Sequence, residues 1–299
     1  LFYNYSKLFT QKEGFKLSNQ KRVLAIHDIS GIGKCSLTVA LPIISSMGVE
    51  TSVLPTAILS THTGGFTDYT YRDLTSDLIP MMEHWKTLNI NFDGMYTGFL
   101  GSFEQIDIVI DVIKNLSNSS TIKIIDPVMA DNGKLYAIFD KTFPSGMKKL
   151  CEIGDVLIPN ITEATLLLEE EYVEGPYSKD YIENLIRKLA KINNKKVILT
   201  GVYFDDKKLG AACYDSETES VEYAFNEKID TSYHGTGDVF GSALTGALLN
   251  NKSLFEATQI AVDFTVDTIK NTKAANTDPK YGVNFEMSIP LLIKSIYNI

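Results

Sequence analysis

Short apolar runs alternate with longer amphipathic stretches along most of this chain. The runs at 22–27 (RVLAIH), 49–54 (VETSVL), 93–97 (DGMYT), 121–125 (TIKII), 155–158 (DVLI) and 196–200 (KVILT) read as strands. Between them, 34–47, 74–89, 102–116, 162–169 and 180–191 carry apolar residues at helical spacing. That alternation predicts parallel βαβ units and a sheet covered on both faces. Pro42 lies inside the first helical stretch and predicts a kink or a late start. After Thr200 the rhythm changes. KKLGAACYD, SETES and VEYAFNEK read as strand, turn and strand, an antiparallel addition to the sheet edge. Helices are expected at 237–250 and 253–271, with a last amphipathic stretch at 284–298. No repeat, linker or shift in composition divides the chain. The expectation is one domain over 21–299, preceded by a surface extension at 1–20.

Composition narrows the function classes. The 299 residues are 44% hydrophobic, enough for a large core, and the formal net charge is −9. That balance argues against a nucleic-acid or anionic-membrane partner. The cysteines, Cys35, Cys151 and Cys213, are odd in number and scattered without a CxxC, so neither a disulfide framework nor a zinc site is expected. A reducing cytoplasm is the expected location. No apolar run reaches the roughly 18 residues of a membrane span, and residues 1–20 lack the apolar core of a secretory signal.

Candidate chemistry begins with HDISGIGKCS at 27–36, a glycine-rich turn after the first strand. A Walker phosphate loop would need Gly at 28 and a hydroxyl at 35, where Asp28 and Cys35 stand. A dinucleotide loop fits Gly31, Gly33 and Ser36 loosely, but its acid, Glu50, begins the next strand instead of ending it. His27, Asp28 and Ser30 nevertheless lie at the carboxyl end of a parallel strand, the edge where ligands bind, so the loop can hold a substrate.

The sharper signal is HGTGDVFGSALTGALL at 234–249. Gly235, Thr236 and Gly237 precede a helix with one apolar stripe, and backbone N–H groups at a positive helix end suit an anion. Asp238 falls in the first turn, where an acid can be catalytic or merely a helix N-terminal residue. IDPVMAD at 125–131 puts Asp126 just after a strand and Asp131 in the following loop. IPNITEA at 158–164 puts Asn160 after a strand and Glu163 at a helix start, and Thr200 ends another strand. Singly, each is plain cap or turn chemistry. Together at one sheet edge, they make the oxygen-rich setting of a magnesium–nucleotide phosphate site.

These residues carry a resemblance. GTGD at 235–238, with Asp126, Asn160 and Glu163, resembles the ribokinase-like superfamily of small-molecule kinases. STHTGG at 60–65, TGFLGSFEQ at 97–105, DPVM at 126–129 and PNITEATLL at 159–167 are similar to the vitamin B6 (pyridoxal/pyridoxamine) kinases, in order over about residues 21 to 290. The opening Asp28-x-Ser30-Gly31 and His234 are closer to the sister hydroxymethylpyrimidine kinases of thiamine synthesis. B6 kinases often have Tyr at the position of Phe99 and Ser at that of Asp28.

The resemblance implies a three-layer α/β/α fold, with a mostly parallel sheet, helices on both faces and an antiparallel edge. It implies transfer of the ATP γ-phosphoryl to the 5′-hydroxymethyl of pyridoxal, pyridoxine or pyridoxamine. Asp238 would be the base, and the backbone of Gly235, Thr236 and Gly237 the anion hole. Asp126 and Glu163 would serve Mg2+, and Asn160 and Thr200 the nucleotide, with K+ beside Thr200. Asp28, Ser30, His62, Thr63 and Phe99 would grip the ring, and the assembly would be a homodimer. The alternatives are hydroxymethylpyrimidine phosphorylation, an NAD-dependent oxidoreductase using the 31–36 loop, and a non-catalytic vitamer-binding protein.

Overall fold

The structure, a computed structural model, describes residues 20–193 and 195–297. Apart from Gln20, the extension expected at 1–20 lies outside the described residues. The strands in chain order are β1 (Arg22–Ser30), β2 (Glu50–Leu59), β3 (Tyr71–Asp73), β4 (Gly94–Thr97), β5 (Ile122–Ile125), β6 (Ala130–Asp131), β7 (Lys134–Leu135), β8 (Val156–Leu157), β9 (Lys196–Val202), β10 (Lys208–Asp215) and β11 (Ser220–Glu227). The helices are α1 (Leu37–Ser46), α2 (Thr75–Thr87), α3 (Phe103–Leu116), α4 (Phe143–Glu152), α5 (Ile161–Leu168), α6 (Lys179–Asn193), α7 (Thr236–Leu249), α8 (Leu254–Ala274) and α9 (Ile289–Tyr297).

Nine strands form one sheet in the order β11-β10-β9-β8-β5-β4-β1-β2-β3, and β6 and β7 make a separate small hairpin. The six strands from β9 to β2 are parallel; β3 joins antiparallel at one edge, and β10 and β11 at the other. Strand β1 sits between β2 and β4, so the chain winds first one way and then the other. The crevice at such a reversal opens at the carboxyl ends of the strands, where α/β folds bind ligands.

Each sheet face has its own apolar core. Leu24, Ile26, Met95 and Ile125 face α2 to α6, while Val23, Tyr96 and Ile124 face α1, α7, α8 and α9. The period-2 alternation of the strands thus assigns His27 and Asp126 to the α7 side. At the amino edge, carboxylates fasten the strand starts. Asp93 accepts the Arg22 N–H at 2.9 Å and the Lys21 ammonium at 2.8 Å. Asp155 accepts the Lys123 N–H at 2.8 Å and is paired with the Lys123 and Lys195 ammonium groups.

Several elements differ from expectation. Helix α1 starts late, at Leu37, and keeps Pro42 inside. Strand β2 runs through Pro55 to Leu59, and Pro55 pairs with His27. Helix α4 was not anticipated, because Pro144 and Gly146 mask its periodicity; Gly146 leaves room for the Phe103 ring. Strand β3 is fully exposed, so no apolar pattern announces it.

Candidate active site

The loop after β1 is fixed from three sides. Its register with β2 shifts between His27 and Ile29. The Gly31 N–H then donates to the Leu59 carbonyl at 2.9 Å and that of Ile32 to the Ser60 carbonyl at 3.1 Å. Gly33 has φ 115°, and the His62 imidazole fills the space where its Cβ would stand. The Lys34 ammonium reaches Asn284 at 3.0 Å and Glu286 at 2.9 Å. It clamps the loop to the C-terminal segment and is not aimed at a phosphate. Asp28, at the head of this loop, is buried and accepts the Ser30 hydroxyl at 3.1 Å. Burial pushes its carboxyl up, while hydrogen bonds from Ser36 and Ser30 hold the shift down.

Helix α7 begins against the same loop. Gly235 has φ 79°, and a Cβ there would strike the Lys34 carbonyl, so only glycine suits the approach. Gly237 instead has nothing within 4 Å of a Cβ position. The first N–H groups of a helix have no intrahelical partner, and in α7 these are those of Thr236, Gly237 and Asp238. Burial pushes the Asp238 carboxyl up to about 7, with the Ser36 N–H opposing and the Asp28 charge adding to it. The buried His27 ring places Nδ1 3.9 Å from Asp238 Oδ1.

A second acidic pair lies deeper along the carboxyl edge. Asp126 is buried, and its carboxylate accepts no hydrogen bond from the described residues; burial, then Glu163 and Asp238, push it well up. Glu163 is also buried and raised to about 8, by burial first. It forms a reciprocal cap with Asn160: Glu163 N–H donates to Asn160 Oδ1 and Asn160 N–H to Glu163 Oε2, each at 2.9 Å. Glu163 Oε1 also accepts the Met129 N–H at 3.2 Å. Two buried, mutually repelling carboxylates beside a helix N-terminus fit a hard divalent cation. Among the described residues no cluster of three or more acidic, His or Cys side chains could hold a metal alone. A pair of carboxylates is a donor set that suits Mg2+, which takes few carboxylates and fills its shell with water and phosphate oxygens.

The fold thus gathers Asp28, Ser30, Asp126, Glu163, Gly235, Thr236, Gly237 and Asp238 at one edge. Other expected residues are placed less simply. His62 is engaged on both nitrogens, with Nε2 2.7 Å from the Lys280 carbonyl and Nδ1 accepting the Gly64 N–H at 3.0 Å. Thr63 is exposed. Phe99 packs on Phe139 at a centroid distance of 5.7 Å. The Asn160 amide donates to the Ala130 carbonyl at 2.9 Å, and the Thr200 hydroxyl to the Pro159 carbonyl at 3.4 Å. Asp131 is exposed on β6, bonded to Asn132. Sequence reasoning missed Tyr96, whose buried hydroxyl is pushed up by burial and then by the Asp126 and Asp238 charges. It saw His27 only as loop polarity; a histidine inside a buried strand was the available signal.

Comparison with known proteins places the chain in a family. The phosphomethylpyrimidine kinase family profile matches residues 41–283. A Bacteroides thetaiotaomicron protein, provisionally named phosphomethylpyrimidine kinase and solved with pyridoxal, superposes with a TM-score of 0.87 at 36% identity, over 92% of this chain and 96% of that one. Pyridoxal kinase from Lactobacillus plantarum superposes with a TM-score of 0.84 at 28% identity, over 92% and 97%. The hydroxymethylpyrimidine/phosphomethylpyrimidine kinase of Aquifex aeolicus is 25% identical over 194 residues, 65% of this chain and 71% of the relative.

Proposed function

This chain belongs to the phosphomethylpyrimidine kinase family, and from that premise we propose that it transfers the ATP γ-phosphoryl to the 5′-hydroxymethyl of a vitamin B6 vitamer. The observation that carries the reading is a partly buried carboxylate, Asp238, held above the usual carboxylate range in the first turn of a helix, next to open space at the Gly237 α-carbon. The N–H groups of that first turn hold the transferring phosphoryl oxygens, which carry the charge of the transition state. Asp238 accepts the acceptor's hydroxyl proton, and its raised affinity for that proton suits the task near neutral pH. Asp28 and Ser30 orient the ring from the β1 loop, with Phe99 on its face. Asp126 and Glu163 hold Mg2+, which supplies charge neutralisation for the phosphate oxygens when bound. Asn160 and Thr200 border the nucleotide. The Thr200 hydroxyl already has a protein partner, so no step is assigned to K+.

The vitamer is favoured over the pyrimidine by the 36% identical protein solved with pyridoxal and by the 28% identical pyridoxal kinase. Hydroxymethylpyrimidine phosphorylation is the second reading, favoured by the carboxylate at Asp28 and by the Aquifex relative. The oxidoreductase reading loses its ribose ligand: Glu50 is bound to the Arg22 guanidinium, at 2.8 and 3.0 Å, on the opposite edge of the sheet. A homodimer in a reducing cytoplasm completes the proposal; light scattering tests the first part.

The deciding experiment compares ATP-dependent phosphorylation of pyridoxal, pyridoxine, pyridoxamine and hydroxymethylpyrimidine, with Mg2+ and with or without K+. Higher kcat/KM for a vitamer is expected. Preference for the pyrimidine would transfer the function to the second reading, and no turnover would favour a vitamer-binding protein.

A further inference from the structure

Histidine 27 is fully buried, yet neither ring nitrogen has a hydrogen-bond partner among the described residues. Buried polar atoms are nearly always partnered, so each exception calls for a physical account. The ring is closely packed. Its edge meets Tyr96 at a centroid distance of 4.5 Å and an interplanar angle of 65°. The Gly98 backbone presses on it so closely that a Cβ there would overlap the imidazole. Tyr96 is itself held against Gly241 of α7, and its hydroxyl is also unpartnered. Asp238 Oδ1 lies 3.9 Å from Nδ1 of the packed ring. That is too long for a hydrogen bond and short enough for rotation of the carboxylate to close it. Catalytic hydrogen bonds that are long in the free enzyme commonly tighten in the loaded one.

We infer that His27 is a positioning residue for the catalytic carboxylate: it donates its Nδ1 hydrogen to Asp238 Oδ1 once nucleotide and acceptor are bound. The other carboxylate oxygen is thereby turned to the acceptor hydroxyl. The inference rests on the kinase reading of Asp238. The imidazole acts as a neutral donor, since burial lowers its pKa to about 3. A donor of this kind orients the base without neutralising it by full ion pairing. Tyr96 and Gly98 act through the ring by fixing its plane.

The test uses the full-length protein and its best acceptor. His27→Leu removes both ring nitrogens, and His27→Gln keeps a neutral N–H donor in similar volume. The expected result is a loss of about 10- to 100-fold in kcat for His27→Leu, with KM for ATP within about twofold. His27→Gln should recover most of that loss. In an Asp238→Asn background, His27→Leu should cost nothing further, because residues acting as one unit are not additive. Full kcat in His27→Leu, equal loss in both variants, or a loss that multiplies in the Asp238→Asn background would overturn the inference. A crystal structure with ADP and acceptor decides independently of how the variants fold. An Nδ1–Oδ1 separation under about 3.2 Å supports the role, and one that stays near 3.9 Å removes it. Failure of the kinase reading shows separately, as absence of turnover by the unsubstituted protein, and would remove this inference with it.

Discussion

Burial pushes the Asp238 carboxyl up to about 7, so folding takes up a proton there between about pH 4 and pH 7. The native state binds more protons than the unfolded chain across that window, so this group's contribution to stability falls as pH rises through it. Asp238→Asn should therefore melt higher than the unsubstituted protein at pH 8, with the gap closing toward pH 4, as thermal denaturation at several pH values would show. The same variant should lose at least about 10²-fold in kcat while still binding ATP. A lower melting temperature at pH 8 would mean that its neighbours stabilise the ionised form. Asp28 makes a different prediction. Its carboxylate suits the amine of pyridoxamine, so pyridoxamine should exceed pyridoxal in kcat/KM, and Asp28→Ser should shrink that ratio. An unchanged ratio would confine Asp28 to holding Ser30 and the loop.

The start of α7 shows how two glycines of one short motif differ. Gly235 needs its positive φ and its bare α-carbon, because the Lys34 carbonyl lies where a side chain would begin. Gly235→Ala should cost about 1–2 kcal/mol from the left-handed backbone alone, and more from the collision, read as a lowered Tm. Gly237 meets nothing. Gly237→Ala should keep its Tm within a few degrees yet weaken turnover, since the added methyl enters the open space at Gly237 that the proposal gives to the transferring phosphoryl. Equal Tm losses would mean that the two play the same part. The GTGD motif was legible as a helix start. The division of labour was not, because it depends on the β1 loop, 200 positions earlier in the chain. The Asn160–Glu163 cap is similar: the spacing exposes the capping box, but only packing brings Asp126 beside it.

Across the whole molecule the two edges of the parallel sheet do different work. The carboxyl edge collects buried carboxylates with raised pKa. At the amino edge, Asp93 and Asp155 are partly buried, yet ammonium and backbone N–H partners hold both below the usual carboxylate range. A depressed carboxyl contributes stability that is fully present above its unfolded pKa, about 4, and is lost as pH falls through the folded value. Asp155→Asn should lower Tm at pH 7, by an amount that shrinks as pH falls through the folded value, and leave kcat unchanged. Since a charge-assisted hydrogen bond contributes about 1.5–3 kcal/mol, the loss should be measurable. A fall in kcat without a fall in Tm would overturn this separation of edges.

The order of strands and helices, the parallel core of the sheet and its antiparallel edge at β10–β11 were written in the chain, because apolar periodicity records which face of each element is buried. So were the glycine-flanked start of α7 and the set of acidic residues after the strands, since short motifs fix local backbone geometry. Strand β3 and helix α4 escaped because one is exposed and the other is interrupted by proline and glycine. His62 and Lys34 could be placed near the site, but not given their partners, which lie in the 280–286 segment. The isolation of His27, the opposed surroundings of Gly235 and Gly237, and the shifts at Asp126 and Asp238 belong to the tertiary structure alone. Each depends on how much water is excluded and on which distant groups meet, and no local sequence pattern encodes either quantity.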